Sequence, residues 1–205
     1  QHRECGLHLA AGVNLLLTPA FGVTIAIAGM TSVAGGSYTF DSRADGYARG
    51  EACGGVVLQP GGQEAPAALS MLGAAVRQDG RSASLTAPNG QAQRVLLSAA
   101  VAAAQGGGAL GAVEAHGTGT ALGDPVEAAA AHEVLCASTA VQAASSKANV
   151  GHAEAAAGLT GLLAVWQLAV RCAASPNAQL RALNPHVRGA IRGGASSMLP
   201  SQLTA

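Results

Sequence analysis

Apolar residues fall along this chain in short blocks separated by polar, glycine-rich stretches. The block lengths predict alternating strands and helices. Leu7–Val13 is a nearly unbroken apolar run, as expected of a buried strand. From Leu9 to Phe40 no charged residue occurs, but Asn14, Pro19, Ser32, Ser37 and several glycines interrupt the run. A membrane-spanning helix needs ~20 predominantly apolar residues and tolerates such interruptions badly, so the pattern predicts strand, turn and loop. The segment from Asp41 to Glu51 alternates acids and arginines around Gly46 and Gly50. It reads as a structured polar loop with a structural charge network, leading into a strand at Gly54–Leu58. Residues 59–66 hold two prolines and two glycines and read as a linker.

Ala67–Val76 fits either a helix or a strand. A polar loop follows, with Asn89-Gly90 as a turn signal, and then a helix over Gln91–Ala104 ended by Gly106, Gly107 and Gly108. Ala109–Ala115 predicts a strand that stops at His116. Pro125 suits the first turn of a helix, with Asp124 as its N-cap and Glu127 as a first-turn acid. Val141–Ser146 predicts another strand, and a long apolar helix starts at Ala153. The uncharged run Ala155–Val170 is too short to span a bilayer and predicts a buried core helix. Glu154 stands at its positive end. Strands alternating with helices predict an α/β fold. Two histidines, His116 and His152, then follow strand C-termini, the edge where open α/β sheets place ligands.

Composition narrows the choice of partner. The 205 residues suffice for one domain with its own core, and the formal charge is zero, with 11 basic and 11 acidic residues. No basic stripe or acidic tail favours nucleic acid or an anionic membrane. Aromatic residues make up 2% of the chain, so the core must be built from Ala, Val and Leu. Cys5, Cys53, Cys136 and Cys172 have no short metal-ligand spacing. They are expected to be reduced, mostly buried thiols of a cytoplasmic protein. No other His, Cys and acid set has ligand spacing, so no metal is expected. The chain opens on Gln1 without a leader-like segment, as expected of a piece of a longer protein.

The chemistry concentrates in "VEAHGTGTALGDPVEAA" and "SSKANVGHAEAAAGLTGLLAV". Gly117 and Gly119 let backbone pass close to a ligand, and Thr118 and Thr120 add hydroxyls. A neutral imidazole at His116 can donate an N–H to an oxygen that becomes negative in a transition state, and His152 can do the same beside a helix N-terminus. A single loop histidine is more often a surface or capping residue. Lys147, the only lysine, can form a local ion pair with Glu154.

These residues carry a resemblance. "VEAHGTGTALGDPVEA" resembles the His-Gly-Thr-Gly-Thr motif of β-ketoacyl synthases, and "SSKANVGHAEAAAGLTGL" resembles their Lys-Ser-Asn-Ile-Gly-His motif. "YTFDSRADGYARGEACGGVVL", "QDGRSASLTAPNGQAQ" and "LAAGVNLLLTP" are similar to three further motifs of the family, in the family's order. The ketosynthase domains of polyketide synthases resemble the chain most. The resemblance implies a thiolase-like, layered αβαβα fold, incomplete here. Residues 1–60 would end the N-terminal ketosynthase half, and 61–205 would form a truncated C-terminal half. It implies decarboxylative Claisen condensation of a Cys-bound acyl chain with malonyl-acyl carrier protein, without a cofactor beyond the carrier's phosphopantetheine, in a homodimer. His116 and His152 would be the catalytic histidines. Lys147 would be the family's lysine, paired with Glu154.

Departures accompany the match. The family's nucleophilic Cys lies in a Thr-Ala-Cys-Ser-Ser motif, and none of the four cysteines here stands in one. The closing Gly-Phe-Gly-Gly-Thr-Asn motif is absent, Arg77 stands where Asn is usual, and Ala148 replaces a Ser. Acyl transfer to the enzyme needs the thiol, so the chain alone is expected not to condense. Apolar surface that a missing half would cover is expected to be exposed. Two other readings are a non-catalytic relic or partner protein that binds a carrier protein or another ketosynthase chain, and a malonyl decarboxylase that uses the histidine pair alone.

Overall fold

A computed structural model of the chain describes residues 6–60, 69–82, 87–104, 110–136, 141–173, 175–191 and 199. Strand β1 (His8–Asn14) opens the fold, and helix α1 (Pro19–Ile27) follows it. Pro19 starts this helix, because its fixed φ suits a first turn and its missing N–H is not needed there. The helix corrects the expectation of strand, turn and loop. Its β-branched, almost wholly apolar sequence has no amphipathic period that would mark it.

The polar segment returns the chain to strand β2 (Ala52–Leu58), which pairs antiparallel with β1 from Asn14↔Ala52 to His8↔Leu58. The pleat divides this ladder into two faces. Ala10, Gly12 and Asn14 turn inward; Leu9, Val13, Cys53 and Val57 turn outward and are exposed. The expected exposure of apolar surface is therefore present. Cys172 is also exposed and Cys136 is half-buried, which corrects the expectation of mostly buried thiols; Cys5 lies outside the described residues. Cys53 is exposed because its pleat direction faces away from the layer that covers the ladder.

Residues 69–76 form neither helix nor strand, against the expectation for Ala67–Val76. They run past the C-terminal end of helix α2 (Gly90–Ala103), where a Cβ on Gly73 would stand 2.7 Å from Ala104 N. Asn89 caps α2, its side-chain oxygen accepting from Gln91 N and Ala92 N at 3.1 and 3.2 Å. Strand β3 (Ala112–Glu114) and strand β4 (Gln142–Ala144) pair in parallel across helix α3 (Gly123–Leu135). One-turn helix α4 (Lys147–Val150), a 3-10 turn at Glu154–Ala156, helix α5 (Ala157–Arg171) and helix α6 (Pro185–Ala190) complete the order.

The core lies between α3, α6 and the β3–β4 pair, with Phe40, Val141, Val187 and Ile191 almost fully enclosed. Alanines 128 and 131 let α3 approach its neighbours closely. Helix α5 packs one face on β1, β2 and β3, yet Gly161 alone among its residues is fully buried. A wholly buried core helix is thus corrected to a half-covered one. The approach of strand and turn needs a residue without a side chain: a Cβ on Gly12 would stand 3.2 Å from Ala156 Cα. Among the described residues no helix is long and apolar enough to cross a membrane.

Candidate active site: two histidines beside a buried lysine

His116 leaves the end of β3, and its loop is held by two acids from the first two turns of α3. Glu127 accepts from His116 N at 2.6 Å with one carboxylate oxygen and from Gly117 N at 2.8 Å with the other. Asp124, 1% exposed, accepts from Phe40 N at 2.7 Å, Gly119 N at 3.1 Å and Thr120 N at 3.2 Å. Asp124 therefore lies inside α3 and ties three amides together, rather than capping the helix as the sequence predicts; Leu122 stands at the cap. Burial pushes its carboxyl up to about 6, against the opposing pull of those amides. Thr120 Oγ1 accepts from Gly123 N at 3.1 Å, so this hydroxyl serves the loop. Thr118 is buried, and Thr39 Oγ1 donates to Gly117 O at 2.6 Å. Gly117 and Gly119 both adopt positive φ, 46° and 78°. The glycines of the motif are thus demanded by backbone shape.

His152 follows α4 and is gripped by residues 47–50. His152 N donates to Ala48 O at 2.7 Å, and Gly50 N donates to His152 O at 2.9 Å. The Tyr47 ring meets the imidazole edge-to-face at 4.9 Å. Glu154 N donates to His152 Nδ1 at 3.1 Å. A neutral ring that accepts at Nδ1 carries its proton on Nε2. The two imidazoles lie 5.7 Å apart, nearly perpendicular.

Lys147, 5% exposed, is the buried cation of the site. Burial lowers its pKa, and the surrounding acids Glu114, Glu127 and Asp124 oppose that. Both histidines are pushed towards the neutral form, first by burial and next by the Lys147 charge; His152 falls to about 4. Burial and the lysine, rather than a helix end, set these values, since α5 begins only at Ala157.

The expected Lys147–Glu154 pair is not formed. Arg49 holds the Glu154 carboxylate with a two-pronged fork, Nε to Oε1 at 2.7 Å and Nη2 to Oε2 at 3.0 Å. A planar guanidinium matches both oxygens at once, which an ammonium cannot do. The rest of the charged segment is structural, as expected. Asp41 pairs with Arg43 at 2.7 Å, and its carboxyl lies well below the usual range because hydrogen bonds from Arg43 and from the Ala182 and Arg181 amides outweigh burial. Glu51 accepts from Leu16 N at 2.6 Å. Sequence reasoning missed Arg49 as a site residue, and also Glu114, which accepts from Ser146 N at 2.7 Å and whose carboxyl burial pushes up. Glu114 does stand two residues before His116 in the quoted motif, a signal that spacing alone did not raise.

Two neutral N–H donors beside a buried cation can stabilise negative charge developing on one oxygen. Among the described residues no group of three or more His, Cys, Asp and Glu side chains is placed to hold a metal.

Comparison with known proteins identifies the family. The model of the β-ketoacyl synthase C-terminal domain matches residues 69–180, and that of the N-terminal domain matches residues 1–63. A phenolphthiocerol/phthiocerol polyketide synthase of Mycobacterium tuberculosis is 41% identical over 194 residues, 90% of this chain and 10% of that protein. Lovastatin diketide synthase of Aspergillus terreus is 39% identical over 181 residues, 86% of this chain and 7% of that protein. The ketosynthase from module 6 of the bacillaene synthase of Bacillus subtilis 168 superposes with a TM-score of 0.83 at 30% identity, over 90% of this chain and 34% of that one. An oxazolomycin ketosynthase domain of Streptomyces albus JA3453 gives 0.88 at 30% identity, over 98% and 37%. The chain thus spans about a third of the solved ketosynthases and shares their α/β, thiolase-like fold in incomplete form. With the models of both ketosynthase halves matched in order along it, this chain belongs to the β-ketoacyl synthase family, as part of a polyketide-type ketosynthase domain.

Proposed function

We propose that the protein containing this chain condenses an acyl thioester with malonyl-acyl carrier protein, with loss of CO₂. The observation that carries the proposal is the pair of neutral imidazoles 5.7 Å apart, with the His152 proton on Nε2. In the decarboxylation the bond from the α-carbon to the carboxylate breaks, CO₂ leaves, and its electron pair forms an enolate on the thioester. His116 and His152 donate N–H bonds to that enolate oxygen. Burial, helped by the positive charge of Lys147, keeps both rings neutral, and that charge attracts the developing anion. Glu154 orients His152, and Thr118 and Thr120 support the loop that carries His116. The enolate carbon then attacks the carbonyl carbon of an acyl group held as a cysteine thioester; the carbon–sulfur bond breaks and the cysteine leaves as its thiolate, a group that no motif of this chain supplies. Substrates ride on the phosphopantetheine of a carrier protein, no further cofactor is used, and the protein acts as a homodimer in the cytoplasm. Residues 1–60 would close its N-terminal ketosynthase half and 61–205 belong to its C-terminal half.

The test is malonyl-carrier decarboxylation and condensation by the intact ketosynthase-containing protein and its His116→Ala and His152→Ala variants. Each loss of a donor is expected to slow decarboxylation by about 10²–10³-fold. Full activity in either variant would refute the assignment. A second reading rests on the histidine pair itself, which can stabilise the enolate without an acyl acceptor. The chain could release CO₂ from malonyl-carrier protein without condensing. Assay of the 205-residue chain for CO₂ and for β-ketoacyl product separates the two readings.

A further inference from the structure

Arg49 comes from the charged loop, 105 positions before Glu154, and its side chain is 14% exposed. Its guanidinium lies between two groups: the Phe21 ring of α1, 4.9 Å from the guanidinium carbon, and the Glu154 carboxylate. Its backbone pairs with His152 in a short parallel bridge, bracketed by the bonds from His152 N to Ala48 O and from Gly50 N to His152 O. Glu154 in turn sits at φ 41°, a left-handed conformation that disfavours any residue with a Cβ. In the same turn its N–H donates to His152 Nδ1 at 3.1 Å. An unfavourable backbone state persists where surrounding contacts over-determine it. The contact that does so here is the two-pronged fork from Arg49, steadied by the cation–π contact with Phe21.

We propose that Arg49 is a positioning residue for His152: its fork on Glu154 holds the Glu154 N–H on Nδ1 and so confines the imidazole proton to Nε2. The inference deepens the reading of His152 as an N–H donor and rests on it for its catalytic meaning. If the fork were lost and the Ala153–Glu154 turn shifted, the Glu154 N–H would leave Nδ1, and the ring would be free to carry its proton on either nitrogen. A ring protonated on Nδ1 presents a lone pair at Nε2 and cannot donate from there.

The experiment is a ¹⁵N-histidine NMR measurement on the chain, comparing the parent with Arg49→Gln and Arg49→Lys. Far-UV circular dichroism and thermal melting monitor the fold. The parent is expected to show His152 as a single Nε2–H tautomer. Arg49→Gln, which loses the charged fork, is expected to show ring ¹⁵N shifts that converge as the tautomers mix. Arg49→Lys keeps the charge but offers a single point of contact, and is expected to fall between the two. If Arg49→Gln does not fold, Arg49→Lys decides alone: a mixed tautomer supports the role and a parent-like one overturns it. An unchanged Nε2–H tautomer in a folded Arg49→Gln also overturns it. Because the readout is a tautomer rather than turnover, it is independent of whether His152 proves to be catalytic. Decarboxylation by the intact ketosynthase variants answers that question separately.

Discussion

Asp124 should make the stability of this chain fall as pH rises through the weakly acidic range. Its carboxyl is buried among the Phe40, Gly119 and Thr120 amides and ionises near pH 6 rather than at its ordinary 3.8. Between those two values the folded chain holds a proton that the unfolded chain has released. The contribution of the protonated form is therefore fully present below 3.8 and is lost as pH rises through about 6. A rise of this size corresponds to about 3 kcal/mol, at ~1.36 kcal/mol for each tenfold change in the proton equilibrium. The perturbation is Asp124→Asn, which keeps the shape and removes the titration. Asparagine sets an NH₂ donor against at least one of the three amides, which costs about 1–3 kcal/mol. At pH 4 the variant should therefore be the less stable form. By pH 7 the parent has lost about 3 kcal/mol through Asp124 ionisation, so the gap should close or reverse. Urea denaturation of both chains at several pH values between 4 and 7 reads this difference, and the other titrating groups cancel in it. A difference that stays flat, or widens with pH, would refute the reasoning. It would mean that the three amides outweigh burial and hold the carboxylate ionised.

Two further substitutions probe the same region. Gly117→Ala places a methyl group 2.6 Å from Ser145 Cβ and 2.8 Å from Thr39 Cγ2, at φ 46°. With about 1–2 kcal/mol for the left-handed backbone and about 1–3 kcal/mol for overpacking, a loss of ~2–5 kcal/mol is expected as a lower urea midpoint at unchanged slope. Lys147→Met removes the cation that helps hold both imidazoles neutral, so the pKa values of His116 and His152 should rise in an NMR titration, only partly, because burial remains their first cause.

Much of the site could be read from one dimension. The His116 loop is legible because its glycines and small residues are local demands of backbone shape, and Gly117 and Gly119 do adopt the positive φ that calls for glycine. Strand β1, strand β2 and helix α2 lie within two residues of the ends that apolar runs and the Asn89-Gly90 signal predict. Helix α1 was hidden, because an apolar segment without amphipathic period looks the same in strand, loop or helix. Asp124 reads as a cap because Asp-Pro commonly starts helices, yet its three amide partners include Phe40, 84 residues away.

The residues by themselves determined strands β1 and β2, the helices α2, α3 and α5, the family's motifs in order, and the chemical types that meet at the site. Only the tertiary structure decided which charge holds which. Glu154 is taken by Arg49 rather than by Lys147, and Lys147 faces three other acids. Local spacing favours the nearer partner, seven positions away. Folding instead brings a planar guanidinium from 105 positions away onto both carboxylate oxygens. The choice rests on hydrogen-bond geometry in a partly desolvated place, where a well-aligned fork outcompetes a point charge. That geometry exists only after the charged loop has folded against the His152 turn.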